Sequence, residues 1–132
     1  MRIIGIDPGA KFTGIAVLNA TTGEFEFWAE SDDPVAIWEM VVGQLMHGYD
    51  GEEVHIVIED ILGGGRRDEY VQRTIEVLGY LYNRCREIKL RVTRVAPQAR
   101  LANVSRVPKK IRGKDEKAAA AHALSYKEGH GL

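Results

Sequence analysis

Three acidic residues stand at points of the sequence where a carboxylate is costly to bury. Asp7 ends a short apolar run just before Pro8-Gly9, Glu59 ends a second apolar run, and Asp115 begins an alanine-rich segment. A buried carboxylate needs a cation or a hydrogen-bonding partner. Carboxylate oxygens suit Mg²⁺ or Mn²⁺ better than zinc. If the fold brings the three acids together, they would form a site for a divalent metal.

A fourth candidate ligand follows from helical spacing. His122 lies seven residues after Asp115, so the two share one helix face with Ala118 and Ala119. Two metal ions roughly 4 Å apart can activate a water and stabilise the leaving oxygen in a phosphoryl displacement. We therefore predict two Mg²⁺ (or Mn²⁺) ions, with the catalytic and metal-binding residues Asp7, Glu59, Asp115 and His122.

Each of these residues also has an ordinary structural interpretation. Asp7 could hydrogen-bond the turn after Pro8, and Glu59 could be a surface charge while Asp60 points inward. Asp115 is a natural acid for the first turn of a helix, where the helix dipole stabilises it. His122 taken alone is more often a half-exposed helix residue than a ligand. The four residues are a stronger indication together, because the predicted fold brings the acids to one place.

The apolar periodicity and the turn residues predict three strands, then alternating helices and strands, with two closing helices. The predicted strands and helices, in chain order, cover residues 2–7, 13–18, 24–28 (strands), 34–47 (helix), 55–61 (strand), 66–87 (helix), 90–95 (strand), 97–104 and 115–127 (helices). Ser31 is a candidate cap for the first helix. A basic connector, 105–114, precedes the last helix.

This order predicts an α/β fold in one domain, residues 1–132. The first three strands form an antiparallel meander, and the strand at 55–61, which follows a helical crossover, should pair in parallel with the first. The result is a mixed sheet of three antiparallel strands followed by parallel strands, with helices on both faces. This is the layout of the ribonuclease-H-like fold. In it, Asp7 and Glu59 would end neighbouring strands.

Composition indicates a soluble globular protein. No apolar run approaches the roughly 18 residues of a membrane helix, and we expect no signal segment, because Arg2 and Asp7 interrupt the first apolar run. The one cysteine, Cys85, cannot form an internal disulfide. A reducing, cytoplasmic location is expected, and no membrane partner.

The charge is unevenly distributed along the chain. Residues 1–60 carry 2 basic and 12 acidic side chains, a net charge of −10, whereas residues 61–132 carry 16 basic and 7 acidic, a net charge of +9. Such a distribution favours an electropositive face that binds phosphate backbones in a salt-sensitive manner. The candidate DNA-binding residues are Arg66, Arg67, Arg73, Lys109, Lys110, Arg112, Lys114 and Lys117, with Arg100 and Arg106 in the same basic region.

Four segments resemble the RuvC family of Holliday-junction resolvases. They are Ile4-Gly-Ile-Asp7-Pro-Gly with Thr13-Gly-Ile-Ala16, Val57-Ile-Glu59, Val95-Ala-Pro97-Gln98, and Lys114-Asp115-Glu with Ala121-His122-Ala-Leu124. The resemblance implies a Mg²⁺-dependent, structure-selective endonuclease that acts as a homodimer. Such enzymes nick opposing strands of a four-way DNA junction during recombination and repair. The family's first three carboxylates correspond to Asp7, Glu59 and Asp115.

The sequence departs from the family pattern in two places. Ala118 stands where the closing helix usually offers a further acid, so His122 or Glu116 would have to substitute. The aromatic residue expected shortly after the second acid is not evident, and Tyr70 is the nearest candidate for base stacking. The short chain is similar to a compact phage version, which places it in a bacterial cell or in the cytoplasm of a phage host.

Three further expectations concern assembly and alternatives. The helix 66–87 is the predicted dimer element, although its apolar positions could equally serve the monomer core. Because a ligand is missing or moved, a junction-binding module with weakened or lost catalysis is an alternative function. Another ribonuclease-H-like nuclease, such as one that cuts RNA–DNA hybrids, is a third.

Overall fold

The computed structural model describes residues 1–46, 53–60, 68–100 and 102–132. Within these residues five strands form one mixed sheet in the order β3-β2-β1-β4-β5. The strands are β1 (Arg2–Asp7), β2 (Thr13–Asn19), β3 (Phe25–Ser31), β4 (Val54–Glu59) and β5 (Arg91–Val95). β1, β2 and β3 are antiparallel, while β4 is parallel to β1 and to β5. The predicted sheet topology is therefore confirmed.

Three α-helices cover the two faces of the sheet: α1 (Pro34–Met46), α2 (Glu69–Glu87) and α3 (Lys114–Gly129). Side chains alternate between the two faces of the sheet along each strand, so the core has two parts. Ile4 and Ile58 pack with α1 and α2 on one face, whereas Ile3 and Val57 pack with α3 on the other. The prediction of helices on both faces is confirmed. None of the helices in the described ranges has the length and apolar character needed to cross a membrane.

Several element boundaries differ from the prediction. β3 continues to Ser31, and the cap of α1 is Asp33, whose Oδ1 accepts the backbone N–H of Val35 at 2.9 Å. α2 begins at Glu69, because the side chain of Asp68 caps it by accepting the N–H of Val71 at 2.9 Å. Of the residues predicted to start this helix, 66 and 67 lie outside the described residues, as does the predicted end of β4 at residue 61.

The predicted helix 97–104 is instead two short 3₁₀ segments, Pro97–Arg100 and Val104–Arg106. Hydrogen bonds between residues three apart hold them, such as the one from the Ala99 N–H to the Ala96 carbonyl and the one from the Arg106 N–H to the Asn103 carbonyl, each at 3.0 Å. Segments this short do not recover the entropy lost in nucleating an α-helix.

Two glycines allow α3 to lie directly on the sheet. A Cβ at Gly5 would stand 2.0 Å from the carbonyl oxygen of Ala119, and one at Gly14 would stand 2.1 Å from that of Asp115. Only residues without a side chain permit this distance. Gly14 pairs with Asp7 across β1 and β2. The close contact of α3 with β2 therefore places Asp115 at the end of the sheet where Asp7 lies.

Candidate active site

The carboxylates of Asp7 and Glu59 lie side by side at the ends of β1 and β4. The parallel register pairs Ile6 with Ile58, so Asp7 and Glu59 are the next residues of the two strands and share the face that α3 covers. Asp7 is only 7% exposed, and it lies close enough to Glu59 for the charge of Glu59 to raise its pKa. The convergence of these two acids, which the sequence predicts, is observed.

The alternative interpretations of Asp7 and Glu59 do not describe the structure. In the turn after Asp7, the backbone N–H of Gly9 donates a hydrogen bond to the hydroxyl oxygen of Thr13 at 3.4 Å rather than to the Asp7 carboxylate. Asp60 forms an ion pair with Arg94 at 3.7 Å. Glu59, not Asp60, is therefore the acid that faces α3.

His122 is buried behind Glu59. Its Nε2 lies 2.8 Å from Glu59 Oε1, and the residue is 1% exposed. Its Nδ1 has no hydrogen-bond partner among the described residues. Nε2 must donate if the carboxylate of Glu59 is ionised, and a neutral ring then leaves only an acceptor at Nδ1. In this geometry His122 orients Glu59. A role as a metal ligand remains a prediction.

Asp115 is in the first turn of α3, and a distant acid caps that turn. Oε1 of Glu30, on β3, accepts the backbone N–H of Asp115 at 3.0 Å and that of Glu116 at 3.2 Å. Gly113 has no side chain with which to cap the helix, so Glu30 takes this role. Glu116 accepts the N–H of Gly113 at 2.8 Å. Of the two proposed substitutes for the missing acid, it is His122 that lies beside Glu59.

The surroundings of Asp7 and Glu59 make the two acids unequal. Burial, and then the neighbouring charge of Glu59, raise the pKa of Asp7 to about 8. Burial opposes ionisation of Glu59 as well, but hydrogen bonds from His122 and Asp7 and the charge of Arg100 together hold its pKa below the usual value. At neutral pH and without metal, Asp7 therefore holds a proton and Glu59 carries the charge.

Asp115 has a weaker perturbation in the same direction as Asp7. Burial and the nearby carboxylate of Glu30 raise its pKa, while Lys114 and Arg100 act in the opposite sense. The three acids of the predicted site are thus electrostatically coupled, since the charge of Glu59 also contributes at Asp115.

Arg100 contacts both strand-end acids. Its Nη1 lies 3.0 Å from Glu59 Oε1 and 3.9 Å from Asp7 Oδ2. The sequence predicted that Arg100 contacts phosphate from a segment near the site, but it did not predict the ion pairs of Arg100 with the two carboxylates. The strand order could have indicated part of this position of Arg100, because Val95 pairs with Glu59 and Arg100 follows five residues later at the same edge of the sheet.

The donor set partly fits a divalent cation. Within the described ranges, no group of three or more His, Cys, Asp or Glu side chains is arranged to hold a metal ion. The pair formed by Asp7 and Glu59 nevertheless offers hard oxygen ligands, and a bound cation would oppose the effect of burial and of the Glu59 charge, which together raise the pKa of Asp7. Asp7 and Glu59 therefore fit one divalent ion, and a second ion remains a prediction.

Two open clefts meet at the acids. One, of about 300 Å³, has Asp7, Glu59 and Asp115 in its lining together with the 64% exposed Tyr70. The other, of about 400 Å³, is lined by basic residues and by Asp7. Asp7, Arg100 and Lys114 belong to both linings. The acidic residues that line one cleft therefore lie next to the basic residues that line the other.

The predicted DNA-binding residues divide into three groups. Arg112, Lys114 and Lys117 line the basic cleft. Lys110 lies over the ring of Trp28 at 5.2 Å, Lys109 is exposed beside it, and Arg73 pairs with Glu76 on the surface of α2 at 3.4 Å. Arg66 and Arg67 lie outside the described residues.

No protein-family model matches this chain, and a search of curated proteins finds no match either. Solved structures do match. The RuvC protein of Thermus thermophilus in complex with a Holliday junction substrate superimposes with a TM-score of 0.73 at 17% identity, covering 99% of this chain and 96% of that one. A second structure of Thermus thermophilus RuvC has a TM-score of 0.71 at 16% identity, with the same coverage of each chain.

The yeast mitochondrial Holliday junction resolvase Ydc2 is also similar. It gives a TM-score of 0.60 at 11% identity over 98% of this chain and 78% of that one. At these identities the likeness is one of fold. The chain has the mixed five-stranded, ribonuclease-H-like fold of the RuvC Holliday-junction resolvases.

Proposed function

We propose that this protein is a divalent-metal-dependent endonuclease that resolves four-way DNA junctions by paired nicks. The observation that carries the proposal is the adjacent pair of the buried Asp7 and the half-buried Glu59, of which Asp7 also lines a cleft with Arg100, Arg112, Lys114 and Lys117. Such an arrangement places a site for a hard cation beside a site for a phosphate backbone. The junction-resolvase fold supports the choice of substrate.

Each side chain has a role in this proposal. Asp7 and Glu59 would hold the ion, and Asp115, at the edge of the same cleft, would add a ligand. When bound, the ion would supply Lewis-acid stabilisation of the phosphate and lower the pKa of a nucleophilic water. His122 fixes the orientation of Glu59 through the 2.8 Å contact. Lys114 and Lys117 would hold the DNA backbone by charge-assisted contacts.

A homodimer would match the two-fold symmetry of a four-way junction. Between α2 and the neighbouring ends of β4 and β5, a cleft of about 300 Å³ is lined by Ile75, Leu78, Gly79 and Tyr82 of α2, with Asp60 and Arg94 at its border. Ile75 is 40% exposed there, which leaves an apolar position of the helix outside the monomer core. These residues support α2 as the dimer contact.

A junction-binding module without catalysis is the second candidate. The observation that favours it is that the described residues form no complete group of three metal ligands. A third, a nuclease for RNA–DNA hybrids, shares the same acids and differs only in substrate. The three functions predict different products from one set of reactions.

The test is a substrate panel with end-labelled DNA. A four-way junction, a linear duplex of the same sequence and an RNA–DNA hybrid are incubated with the protein in Mg²⁺, in Mn²⁺ and in EDTA. We expect symmetric nicks in the junction, only with metal, and little cutting of the other two. Binding of the junction without nicks in either metal would support the module, and preferential cutting of the hybrid would support the third candidate.

A further inference from the structure

Arg100 pairs with the two carboxylates that would hold a metal ion. Its guanidinium is 3.0 Å from Glu59 Oε1 and 3.9 Å from Asp7 Oδ2, the same two carboxylates that fit a divalent cation. The side chain of Arg100 is 32% exposed, whereas those of Asp7 and Glu59 are 9% and 12% exposed. The arginine therefore covers the acids from the solvent side.

The guanidinium and a divalent ion cannot both remain at these oxygens. Arginine does not lose its charge in proteins, and two cations a few ångströms apart in a partly buried site repel strongly. The arginine must therefore move when metal binds. Its position allows this, because Arg100 lines both the acidic and the basic cleft.

Resting on the function proposed above, we propose that Arg100 is the counter-cation of the metal-free site and that a divalent ion displaces it from Glu59 into the basic cleft, where it binds a DNA phosphate. Arg100 is then a positioning residue with two exclusive partners. It competes with metal for the acids, and its release adds a contact to the DNA. Metal binding and DNA binding are thereby coupled.

The geometry of the basic cleft suits the released side chain. Besides Arg100, the basic cleft is lined by the cationic side chains of Arg112, Lys114 and Lys117. Val104 and Ala118 form the apolar part of its lining. A guanidinium offers phosphate two parallel N–H donors, a geometry that lysine cannot reproduce. Exchanging a carboxylate for a phosphate keeps a charge-assisted partner for Arg100 in both states.

The test is the affinity for Mn²⁺ measured by isothermal titration calorimetry on the protein without DNA. Arg100→Met removes the competing charge and keeps a long side chain. Arg112→Met is the matched control, because it removes one charge from the same cleft at a residue that contributes to neither carboxylate contact. We expect Arg100→Met to bind Mn²⁺ at least tenfold more tightly than wild type, about 1.4 kcal/mol, and Arg112→Met to stay within about twofold to threefold.

A second measurement tests the coupling. The affinity for a fluorescent linear duplex, which a junction-selective enzyme leaves intact, is measured in Mn²⁺ and in EDTA at constant ionic strength. Linkage requires that metal strengthen DNA binding by the same factor by which DNA strengthens metal binding. We expect the strengthening by Mn²⁺ to be at least threefold larger in wild type and Arg112→Met than in Arg100→Met.

The outcomes separate this inference from the function on which it rests. Equal Mn²⁺ affinity in wild type and Arg100→Met overturns the inference, while junction cleavage by wild type would still stand. No Mn²⁺ binding by either protein overturns both. If Arg100→Met does not fold by circular dichroism, Arg100→Gln replaces it, because it also removes the competing charge, and unchanged Mn²⁺ affinity in that folded variant overturns the inference.

Discussion

Asp7 and Glu59 are chemically similar acids at equivalent strand ends, yet the structure gives them different protonation. Glu59 receives a hydrogen bond from His122 and an ion pair from Arg100 at 3.0 Å. Asp7 lies farther from Arg100, at 3.9 Å, and is more deeply buried. Asp7 is therefore the acid whose ionisation the structure opposes. The effect of its raised pKa on the stability of the metal-free protein can be measured.

Replacing Asp7 by Asn should stabilise the metal-free protein at high pH. The pKa of Asp7 is raised from 3.8 to about 8, so between these values the folded state holds a proton that the unfolded state has lost. The free energy of unfolding therefore falls as pH rises through this window. Because Asn resembles the protonated acid, Asp7→Asn should be more stable than wild type at pH 8 by on the order of 1–3 kcal/mol.

Urea unfolding in EDTA from pH 5 to 8.5 measures this difference. Taking the difference between wild type and Asp7→Asn removes the titration of other groups, including His55, whose pKa is lowered by burial and by His130. Parallel stability curves for the two proteins would contradict the assignment of the shared proton to Asp7.

His122 acts on the reaction through Glu59. His122→Ala removes the 2.8 Å contact and leaves the buried carboxylate with one partner fewer. We expect partial loss of junction cleavage, on the order of 10- to 100-fold, with junction binding retained. His130→Ala is the control, because His130 directly follows the same helix but is exposed and bonded to the Tyr126 carbonyl. An unchanged cleavage rate in His122→Ala would remove His122 from the site.

At the level of elements, the contact between α3 and the sheet determines where Asp115 lies. Ala119, Ala120 and Ala123 are buried in the core between α3 and the sheet. Gly5 on β1 lies against Ala119, and Gly14 on β2 lies against the backbone of Asp115 and Glu116. The alanines were recognisable in the sequence as a face that packs closely. The two glycines also belong to the first motif, and their role becomes clear only when α3 is placed over them.

Gly14→Ala should displace the start of α3. The added Cβ would lie 2.1 Å from the Asp115 carbonyl oxygen and 2.6 Å from the Glu116 nitrogen, both backbone atoms that cannot rotate away. We expect a loss of roughly 1–3 kcal/mol in the free energy of unfolding and a larger proportional loss of cleavage, since Asp115 moves with the helix.

Gly43→Ala is the matched control for this substitution. Gly43 lies within α1 and a Cβ there meets nothing within 4 Å. Alanine in a helix interior is better than glycine by about 0.5–1 kcal/mol, so this variant should be as stable as wild type or more stable. Wild-type cleavage and stability in Gly14→Ala would contradict the proposed packing role.

The elements and the acid pair were accessible from sequence for a definite reason. Chain order determines which strands are neighbours, and the period of two determines which side chains share a face; together they bring Asp7 and Glu59 to one point. The contacts of Arg100 with Glu59 and of Glu30 with Asp115 were not accessible. They join side chains 41 and 85 residues apart, and depend on rotamers that only the packed structure defines.

For the whole molecule, the uneven charge of the sequence becomes a spatial arrangement. Acids from β1, β4 and α3 meet basic residues from the segment before α3 and from α3 itself at one end of the sheet. The low net charge of −1 therefore conceals a basic cleft beside an acidic one. The proposed paired nicking would use two such ends, one for each nick, which a homodimer would supply.

Ile75→Asp tests the proposed dimer contact on α2. Ile75 is 40% exposed and borders the cleft formed with Leu78, Gly79 and Tyr82. A charge at the centre of an apolar contact should shift the protein to a monomer by light scattering and reduce paired nicking, with the fold intact. Asn83→Asp, an exposed position of the same helix, should remain as wild type. A wild-type molar mass in Ile75→Asp would exclude this contact.

The proposed function depends most on joint binding of a divalent metal by Asp7 and Glu59. Anomalous diffraction from crystals soaked in Mn²⁺ measures this directly. We expect an anomalous peak within about 2–2.5 Å of oxygens from both carboxylates, with the Arg100 guanidinium no longer at Glu59. An anomalous map with no peak at this pair in saturating Mn²⁺, or a peak only elsewhere on the protein, would contradict it.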